Sequence, residues 1–260
     1  MKVDYDDFLG FKSSRFDSDL CTVSVVNYES AVSEEWHRHE NFHLSAILKG
    51  GNLESRKKDD IQVLPGKLMI YHQGEIHRNR FTQFPSKNLN LEIKNGFFQH
   101  NDLAPDSLDA TPSSQIDTYF HVFKIYRELA VNDGYSADAI HASLTSAFSK
   151  KEKPNPQPVW LKRLLEIVND RWDEFISLDE LATELGIHPV TISKYFQKYC
   201  HCTLADYLRK VKVDRAMQLI LYSKKSFTEI AFACGFSDQS HMTRLFKLYL
   251  GFNPRQLSRL

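Results

Sequence analysis

The sequence has little of several features that would place it in a specialised class. No apolar run approaches the roughly 20 residues that a membrane-spanning helix needs. The N-terminal stretch Met1–Asp7 is acidic and lacks the apolar segment of a secretory signal. The chain has four cysteines, which are too few and too scattered for a disulfide framework. These absences predict a cytoplasmic protein that does not enter a membrane.

A net charge is also missing, because 33 basic residues balance 33 acidic ones. The balance is uneven along the chain: residues 1–158 carry 18 basic and 22 acidic residues, whereas residues 188–260 carry 12 and 4, a net of +8. A basic C-terminal region favours binding to nucleic-acid phosphates. An ordinary fluctuation of surface charge explains it equally well. With 42% hydrophobic and 25% charged residues, the 260-residue chain is long enough for two globular domains.

Between about Leu20 and Lys94 the sequence indicates several short strands. Turn-forming residues separate them, among them Gly50–Gly51 and Pro65–Gly66. Evenly spaced short strands are typical of a small β-barrel or sandwich. The apolar or alternating runs are Cys21–Val26, Phe42–Leu48, Ile61–Leu64 and Lys67–Tyr71.

After these strands the hydrophobic period becomes helical. Residues 113–150 predict a helical hairpin, with its break at Asp133–Gly134. The stretch from Lys150 to Pro158 is charged and rich in proline, so we expect a semi-rigid linker over residues 151–158. From Val159 onward the pattern is helical throughout.

The last hundred residues contain a near-duplication. The two copies begin at Ser177 and Ser226, and each serine is followed three residues later by a glutamate, Glu180 or Glu229. This S-x-x-E spacing is the capping box that starts a helix. A glycine, Gly186 in the first copy and Gly235 in the second, follows nine residues after each serine, where a left-handed residue ends the helix. A second helix follows in each copy. Pro189 suits the first turn of this helix in the first copy, and Ser237 can cap it in the second. Each copy therefore predicts a helix, a short turn and a helix.

The second helix of each copy has two faces. The apolar face is expected to pack inside, and its members are Ile192, Tyr195 and Phe196, then Met242, Leu245 and Phe246. The other face combines small polar groups with one or two long polar or cationic side chains, which suits contact with base edges. One such helix is more simply a solvated amphipathic helix, but two matched copies favour DNA reading. The outward stripes are Val190, Ser193, Lys194 and Gln197, then Ser240, Thr243, Arg244 and Lys247.

Between the copies, Leu204–Tyr222 predicts one unbroken helix of 19 residues. Its length of about 28 Å suits a rigid spacer that holds two recognition helices roughly one 34 Å turn of DNA apart. Cations on and near this helix are predicted to contact phosphates, with Arg215 adding further charge. The predicted phosphate contacts are Lys198, Arg209, Lys210, Lys212 and Lys247.

Residues 159–260 resemble the DNA-binding domain of the AraC/XylS family of bacterial regulators. The stretch Ile230–Ser240 carries the resemblance best, with Leu181–Ala182 and Tyr207–Leu208 in support. The resemblance implies two helix-turn-helix units, about 177–200 and 226–249, that lie in adjacent major grooves of promoter DNA. By position it also implies base contacts by Val190, Thr191, Ser193, Lys194, Gln239, Ser240, Thr243 and Arg244.

Two residues depart from the family pattern. His201 stands where a glycine is usual after the first recognition helix, and histidine tolerates a left-handed backbone moderately well. Lys212 stands where an arginine is usual, and a lysine would weaken any contact in which that arginine was bidentate.

Two segments of the N-terminal half, Trp36–His43 and Gly66–His77, resemble the two motifs of a cupin barrel. His72 stands where the second motif has proline, and the glutamate of the first motif is not in its usual place. On a strand, alternate residues share a face, so His37, His39 and His43 are expected to line one pocket with His77. These four imidazoles suit either a divalent metal or a pocket without one. The second alternative is preferred, and no cofactor is assigned.

The sequence therefore predicts an α+β multidomain regulator that is not an enzyme. A cupin-like effector-binding domain spans residues 1–105, a helical dimerisation region 106–150, and an all-α DNA-binding domain 159–260. The expected partners are promoter DNA, a small-molecule effector, RNA polymerase and a second copy of the chain. The alternatives are an effector-independent regulator with an empty barrel and, less favoured, a metal-dependent cupin enzyme with a DNA-binding tail.

Overall fold

A computed structural model describes residues 11–30, 33–103, 105, 112–148 and 158–259, with the side chains of 112–114 left out. The chain divides into two compact units, one of residues 1–108, 119–148 and 258–260, the other of residues 109–118 and 149–257. Apart from Pro158, the predicted linker lies outside the described residues. The predicted helical region 106–150 is divided between the units, so the four-part division of the chain stays a prediction.

The first unit contains the strands β1 (Phe11–Asp17), β2 (Cys21–Tyr28), β3 (Phe42–Arg56), β4 (Asp60–Val63), β5 (Leu68–Tyr71) and β6 (His77–Ile93). They form one antiparallel sheet in the order β1-β2-β6-β3-β4, with β5 paired to β3. The long strands β3 and β6 form its centre, because each also pairs with a further strand. Two of the predicted runs lie wholly within β2 and β3, and the other two each extend one residue beyond β4 or β5. No run was predicted over β1 or most of β6.

The prediction of a turn at Gly50–Gly51 was wrong, because β3 continues through both glycines for 15 residues. Their backbone is nevertheless irregular, with φ of +80° at Gly50 and +138° at Gly51. A Cβ at either position would lie 2.4 Å from a carbonyl oxygen, of Gln83 and of Val63 respectively. These glycines therefore permit a close approach of backbone inside the sheet, which has the same local sequence signature as a turn.

The pairing of β3 with β6 shifts register in the same place. Ile47 pairs with Asn88, but six residues later Leu53 pairs with Arg80, with irregularities between them. On β6 the irregular stretch contains Phe81, whose φ is +52°. Bulges of this kind change which side chains face each side of a sheet.

Three helices follow the sheet along the chain: α1 (Asn95–His100), α2 (Pro112–Val131) and α3 (Ser136–Phe148). The predicted break at Asp133–Gly134 is confirmed, and there the Asp133 backbone N–H donates to the Ser136 hydroxyl at 2.9 Å. Helix α1 was not predicted. In this unit four phenylalanine rings pack edge to face at 5.5–6.1 Å, which closes an aromatic core around one end of β3: Phe42, Phe97, Phe98 and Phe148.

The second unit is helical, as predicted. Its core gathers the apolar stripes of the first four helices, and Phe196 and Tyr207 are fully buried in it. In the described part of the chain, no helix is both long and apolar enough to cross a membrane. The helices are α4 (Val159–Asp170), α5 (Leu178–Leu185), α6 (Pro189–Cys200), α7 (Leu204–Tyr222), α8 (Phe227–Ala233), α9 (Gln239–Leu250) and α10 (Pro254–Leu257).

Candidate functional site

The first helix pair of the second unit is α5 and α6. The Ser177 hydroxyl caps α5 by accepting from the Glu180 backbone N–H at 3.1 Å. The predicted return bond of the capping box is replaced, because the Glu180 carboxylate accepts from Arg171 at 2.6 Å. Gly186 ends α5 with φ of +65°, and Pro189 occupies the first turn of α6, as predicted.

The second helix pair is α8 and α9. Ser226 and Glu229 form the complete capping box: the serine hydroxyl accepts from the Glu229 N–H at 3.2 Å, and the Glu229 carboxylate accepts from the Ser226 N–H at 2.7 Å. The cap of α9 was predicted one residue too early. Asp238, rather than Ser237, caps the helix by accepting from the His241 N–H at 2.7 Å. A carboxylate is favoured there because it faces the positive end of the helix dipole.

The inward faces of α6 and α9 are buried in the core of the unit. Tyr195 is the exception, because 38% of it is exposed. It lies at the edge of the apolar stripe, and the Lys194 ammonium sits 5.8 Å above its ring. The buried members are Ile192, Phe196, Met242, Leu245 and Phe246.

The outward faces present most of the predicted base-contacting side chains to solvent. Thr191 and Thr243 are half-buried instead, and the Thr243 hydroxyl donates to the Gln239 backbone carbonyl at 2.9 Å. The side-chain amide of Gln239 is oriented by Thr228, whose hydroxyl donates to Gln239 Oε1 at 2.9 Å. The exposed residues are Val190, Ser193, Lys194, Gln197, Gln239, Ser240, Arg244 and Lys247.

Helix α7 begins at Leu204 and ends at Tyr222, as predicted. Thr203 caps it by accepting from the Asp206 N–H at 3.1 Å. It packs against α6, α8, α9 and α10, so it fixes the two helix pairs with respect to each other. Its 19 residues span about 28 Å.

The cations predicted to contact phosphate fall into two groups. Lys198 and Lys247 are exposed in the last turns of α6 and α9. By contrast, the Lys210 ammonium lies 2.8 Å from Asp117 and 3.2 Å from Asp206, with 12% of its side chain exposed. The ammonium of Lys210 is therefore paired with carboxylates of its own unit rather than presented to a phosphate.

Lys212 is also used inside the unit. Its ammonium donates to the Gly235 carbonyl at 2.9 Å, and burial lowers its pKa. Gly235 has a φ of +67° between α8 and α9, and a Cβ there would lie 2.8 Å from the Lys212 Nζ. Lys212, the lysine at the position where the family usually has an arginine, therefore stabilises the turn between α8 and α9.

A polar contact that the sequence did not reveal links α7 to α9. The Tyr249 hydroxyl donates to Asp206 at 2.6 Å, and the fifth predicted phosphate contact, Arg209, donates to both Tyr249 and Asp206 at 3.4 Å. Tyr249 and Asp206 lie 43 residues apart, so no local pattern predicts the contact. It holds the last turn of α9 against the first turns of α7.

A second candidate site is a polar cavity of about 90 Å³ in the first unit, lined mainly by β3, β6 and the segment before β3. Among the described residues that line it, none is an Asp, Glu, Lys or Arg. The four predicted histidines all line it: His37, His39, His43 and His77.

The histidines are brought together by a route other than the predicted strand. His37 and His39 precede β3, and the chain places them by a backbone bridge in which His37 and His77 exchange N–H···O bonds of 2.9 and 3.0 Å. The ring centroids of His37 and His77 are 4.4 Å apart, and those of His39 and His77 are 5.3 Å apart. His43, which does lie on β3, stacks on the Tyr71 ring at 4.2 Å. Burial lowers the pKa of His39 to about 4 and that of His77 to about 3, so both are neutral at pH 7.

Buried amide and hydroxyl oxygens form another part of the cavity wall. Within the described residues, four of these oxygens have no hydrogen-bond partner. Buried polar atoms are rarely left in this state, so a bound polar group or water is the expected partner. The atoms are Asn52 Oδ1, Asn79 Oδ1, Thr82 Oγ1 and Asn88 Oδ1, and sequence reasoning did not single them out.

An ionic network centred on the buried Glu54 contacts Tyr71, on which His43 stacks. Glu54 is fully buried, accepts from Arg56 at 2.7 Å and also accepts from the Tyr71 hydroxyl. Arg56 donates as well to Glu75 at 2.8 Å. Because the carboxylate is paired and hydrogen-bonded, its burial is compensated, and Tyr71 is held beneath His43.

Comparison with known proteins finds similarity in the second unit. Residues 181–259 match a protein-family model described as a helix-turn-helix domain. The HTH-type transcriptional regulator GbdR of Pseudomonas aeruginosa is 33% identical over 95 residues, which are 36% of this chain and 26% of that protein. The HTH-type transcriptional activator RhaS of Escherichia fergusonii is 29% identical over 97 residues, 37% of this chain and 35% of that protein. The chain thus covers about a quarter to a third of these relatives.

A solved AraC-type transcriptional regulator from Chromobacterium violaceum is 24% identical, with a TM-score of 0.38, and the match covers 38% of this chain and 89% of that one. The capped helix pairs α5–α6 and α8–α9 lie within or next to the matched residues. Residues 181–259 therefore match a helix-turn-helix domain, and this region of the chain is similar to the transcriptional regulators GbdR and RhaS.

Proposed function

We propose that the chain regulates transcription by binding promoter DNA through two helix-turn-helix units, α5–α6 and α8–α9. The observation that carries the proposal is the pair of matched, exposed polar and basic faces on α6 and α9, held in place by one rigid helix. Arginine and lysine donate to guanine, amides pair with adenine, and a valine methyl contacts thymine. The length of α7, 19 residues or about 28 Å, supports insertion of α6 and α9 into successive major grooves on one side of the duplex.

Phosphate contacts position such a domain without reading sequence. Lys198 and Lys247 suit this role because they are exposed beside the outward faces. Arg209 is exposed as well, although it is shared with Asp206 and Tyr249. Lys210 and Lys212 are assigned to holding the unit together instead, because their ammonium groups are engaged by Asp117, Asp206 and the Gly235 carbonyl.

We assign the cupin-like first unit to binding a small polar effector in its cavity. Support comes from the unpartnered oxygens of Asn52, Asn79, Thr82 and Asn88, which a hydroxyl- or amine-bearing molecule would satisfy. Effector binding then shifts the population of states in which the DNA-binding units are presented. Dimerisation through α2 and α3, and contact with RNA polymerase, belong to the same proposal and rest on the family resemblance.

The test is binding of the purified chain to its own upstream DNA at fixed salt, with wild type compared with Lys194→Ala and Arg244→Ala. Each variant is expected to lose roughly 1–3 kcal/mol of specific binding and to relax discrimination at its base pair. Lys162→Ala is the matched control, because Lys162 is an exposed lysine on α4. Specific binding that tolerates both recognition-face variants would refute the assignment of these faces.

A further inference from the structure

The start of helix α2 packs as a part of the second unit. Residues 109–118 belong to that unit, whereas residues 119–148 belong to the first. Within the second unit, Ile116 packs against the core that α4, α5, α6 and α7 form. Helix α2 runs without a break from Pro112 to Val131, so one helix contains residues of both units.

An ion pair attaches this segment to α7. The Asp117 Oδ1 atom lies 2.8 Å from the Lys210 Nζ atom, and only 22% of the aspartate and 12% of the lysine side chain are exposed. Ion pairs on an open surface are weak because water and salt screen them, and screening is reduced where both partners are largely covered. The pair therefore couples the position of α2 to that of α7.

Two more contacts continue from Lys210 to α9. The Lys210 ammonium lies 3.2 Å from Asp206 Oδ2, and the Tyr249 hydroxyl donates to Asp206 Oδ1 at 2.6 Å. The two oxygens of one carboxylate are thus held by different partners, and Tyr249 belongs to the last turn of α9. We call this series of contacts, from Asp117 through Lys210 and Asp206 to Tyr249, the polar relay. All of it lies inside the second unit.

The relay transmits a change because its members compete for one carboxylate. Without Asp117, the Lys210 ammonium is drawn towards Asp206. There it competes with the Tyr249 hydroxyl, and a charged donor makes the stronger hydrogen bond. The bond that holds the last turn of α9 against α7 is weakened as a result. Hydrogen-bonded networks of this kind respond as a whole to the loss of one member.

We infer that the start of α2 is a regulatory element of the second unit, in which Asp117 positions α9 through the polar relay. Asp117 is a positioning residue, because it acts on α9 through Lys210 and Asp206. The last turn of α9 is fixed while α2 is docked on α7 and loosens when this contact is lost. A change in the docking of α2 is the step that carries an effector signal to α9, and this part of the inference rests on the proposed function.

The relay is tested without DNA by hydrogen–deuterium exchange of the full chain. Asp117→Asn is expected to speed exchange in the last turn of α9 by about 2–30-fold, the range of coupling through such networks. Tyr249→Phe is expected to act in the same direction. The double variant should exceed the larger single effect by little, because both substitutions break one series of contacts. Asp170→Asn is the matched control, since Asp170 is an exposed aspartate at the end of α4.

Exchange in α6 shows whether the effect is local. Wild-type rates are expected there in Asp117→Asn, because the relay leads to α9. An equal increase in α6 and α9 would reveal a general structural role and overturn the inference. Unchanged exchange in α9, or fully additive effects of Asp117→Asn and Tyr249→Phe, would overturn it as well.

Binding to the chain's own upstream DNA tests the regulatory role. Asp117→Asn is expected to weaken specific binding by about 2–30-fold and to leave its salt dependence unchanged, because no phosphate contact is lost. Asp117→Glu keeps the carboxylate and should restore at least part of the affinity. Faster exchange without weaker binding would overturn the regulatory role, as would a salt slope increased by about 0.9, which would mean that Lys210 had moved to a phosphate.

Failure of the relay and failure of the proposed function give different results. Specific DNA binding by the wild type, with normal α9 exchange in Asp117→Asn, would overturn the relay alone. Faster α9 exchange in that variant, in a chain that binds no DNA specifically, would overturn the proposed function and leave the relay in place.

Discussion

Substitution of Lys212 tests whether this lysine stabilises the second unit, as proposed, or contacts a DNA phosphate, as the sequence predicted. As a phosphate contact, the lysine would affect DNA binding and leave folding alone. In the structure its ammonium donates to the Gly235 carbonyl at 2.9 Å, in the turn between α8 and α9. Lys212→Met keeps the aliphatic stem and removes the donor, so it separates the two roles.

The magnitude follows from that one bond. A hydrogen bond from a charged group contributes about 1.5–3 kcal/mol, and the half-buried setting of Lys212 favours about 1.5–2 kcal/mol. For a unit of about 100 residues this corresponds to a fall in Tm of roughly 6–16 °C. The slope of DNA affinity against salt is expected to stay at the wild-type value, because no phosphate contact is lost.

The assay is urea unfolding followed by tryptophan fluorescence. The chain has three tryptophans. In a Trp36→Phe background the remaining two, Trp160 and Trp172, both report on the second unit. Lys198→Met is the matched control: it should change stability by less than about 0.5 kcal/mol and reduce the salt slope by about 0.9. If Lys212→Met leaves unfolding unchanged and reduces the salt slope, the structural role is refuted.

Three further substitutions test local backbone arguments by urea unfolding. The Trp36→Phe background follows the second unit, and Trp36 in a Trp160→Phe/Trp172→Phe background follows the first. Ser226→Ala removes the hydroxyl of the complete capping box and should destabilise the second unit by about 1 kcal/mol; an unchanged midpoint would contradict the role of the cap. Gly51→Ala should destabilise the first unit by at least about 1–3 kcal/mol, because its φ is +138° and the new Cβ meets the Val63 carbonyl, whereas Gly134→Ala, with open space around it, should be tolerated. His201→Gly should stabilise the second unit by up to about 1 kcal/mol, since φ there is +55°, and a loss of stability would mean that the imidazole makes a contact of its own.

The helical half of the chain was predictable because its signals are local. The bounds of α7 were predicted to the residue, because the run from Leu204 to Tyr222 contains no helix breaker. Asp238 displaced Ser237 as the cap of α9 because both residue types cap helices, and the choice depends on the angle at which the chain enters the helix. The bonds from Lys210 to Asp117 and from Lys212 to Gly235 were not predictable, because these partners lie far along the chain. The bond from Lys210 to Asp206 has the i,i+4 spacing of a helix and was missed.

The sheet was predicted less well for a physical reason. Glycine marks turns and bulges alike, so Gly50–Gly51 gave no sign that β3 would continue. The grouping of the four histidines was predicted, but the reason given, a shared strand, holds for His43 and not for His37 and His39. The asparagines of the cavity carry no periodic signal and were missed, because their inward direction depends on the register of β3 with β6.

That register decides what the cavity can hold. On β6, odd-numbered His77 and Asn79 face the cavity, and beyond Phe81 the even-numbered Thr82 and Asn88 do. The side chains of a regular strand alternate strictly, so a strand without the irregularity would place either the histidine or the distal amide inside, never both. One displaced residue thus lets a single strand supply both the His77 imidazole and the distal amide of Asn88 to the same small volume. The chemistry of the cavity is set by the phase of the backbone as much as by the side chains themselves.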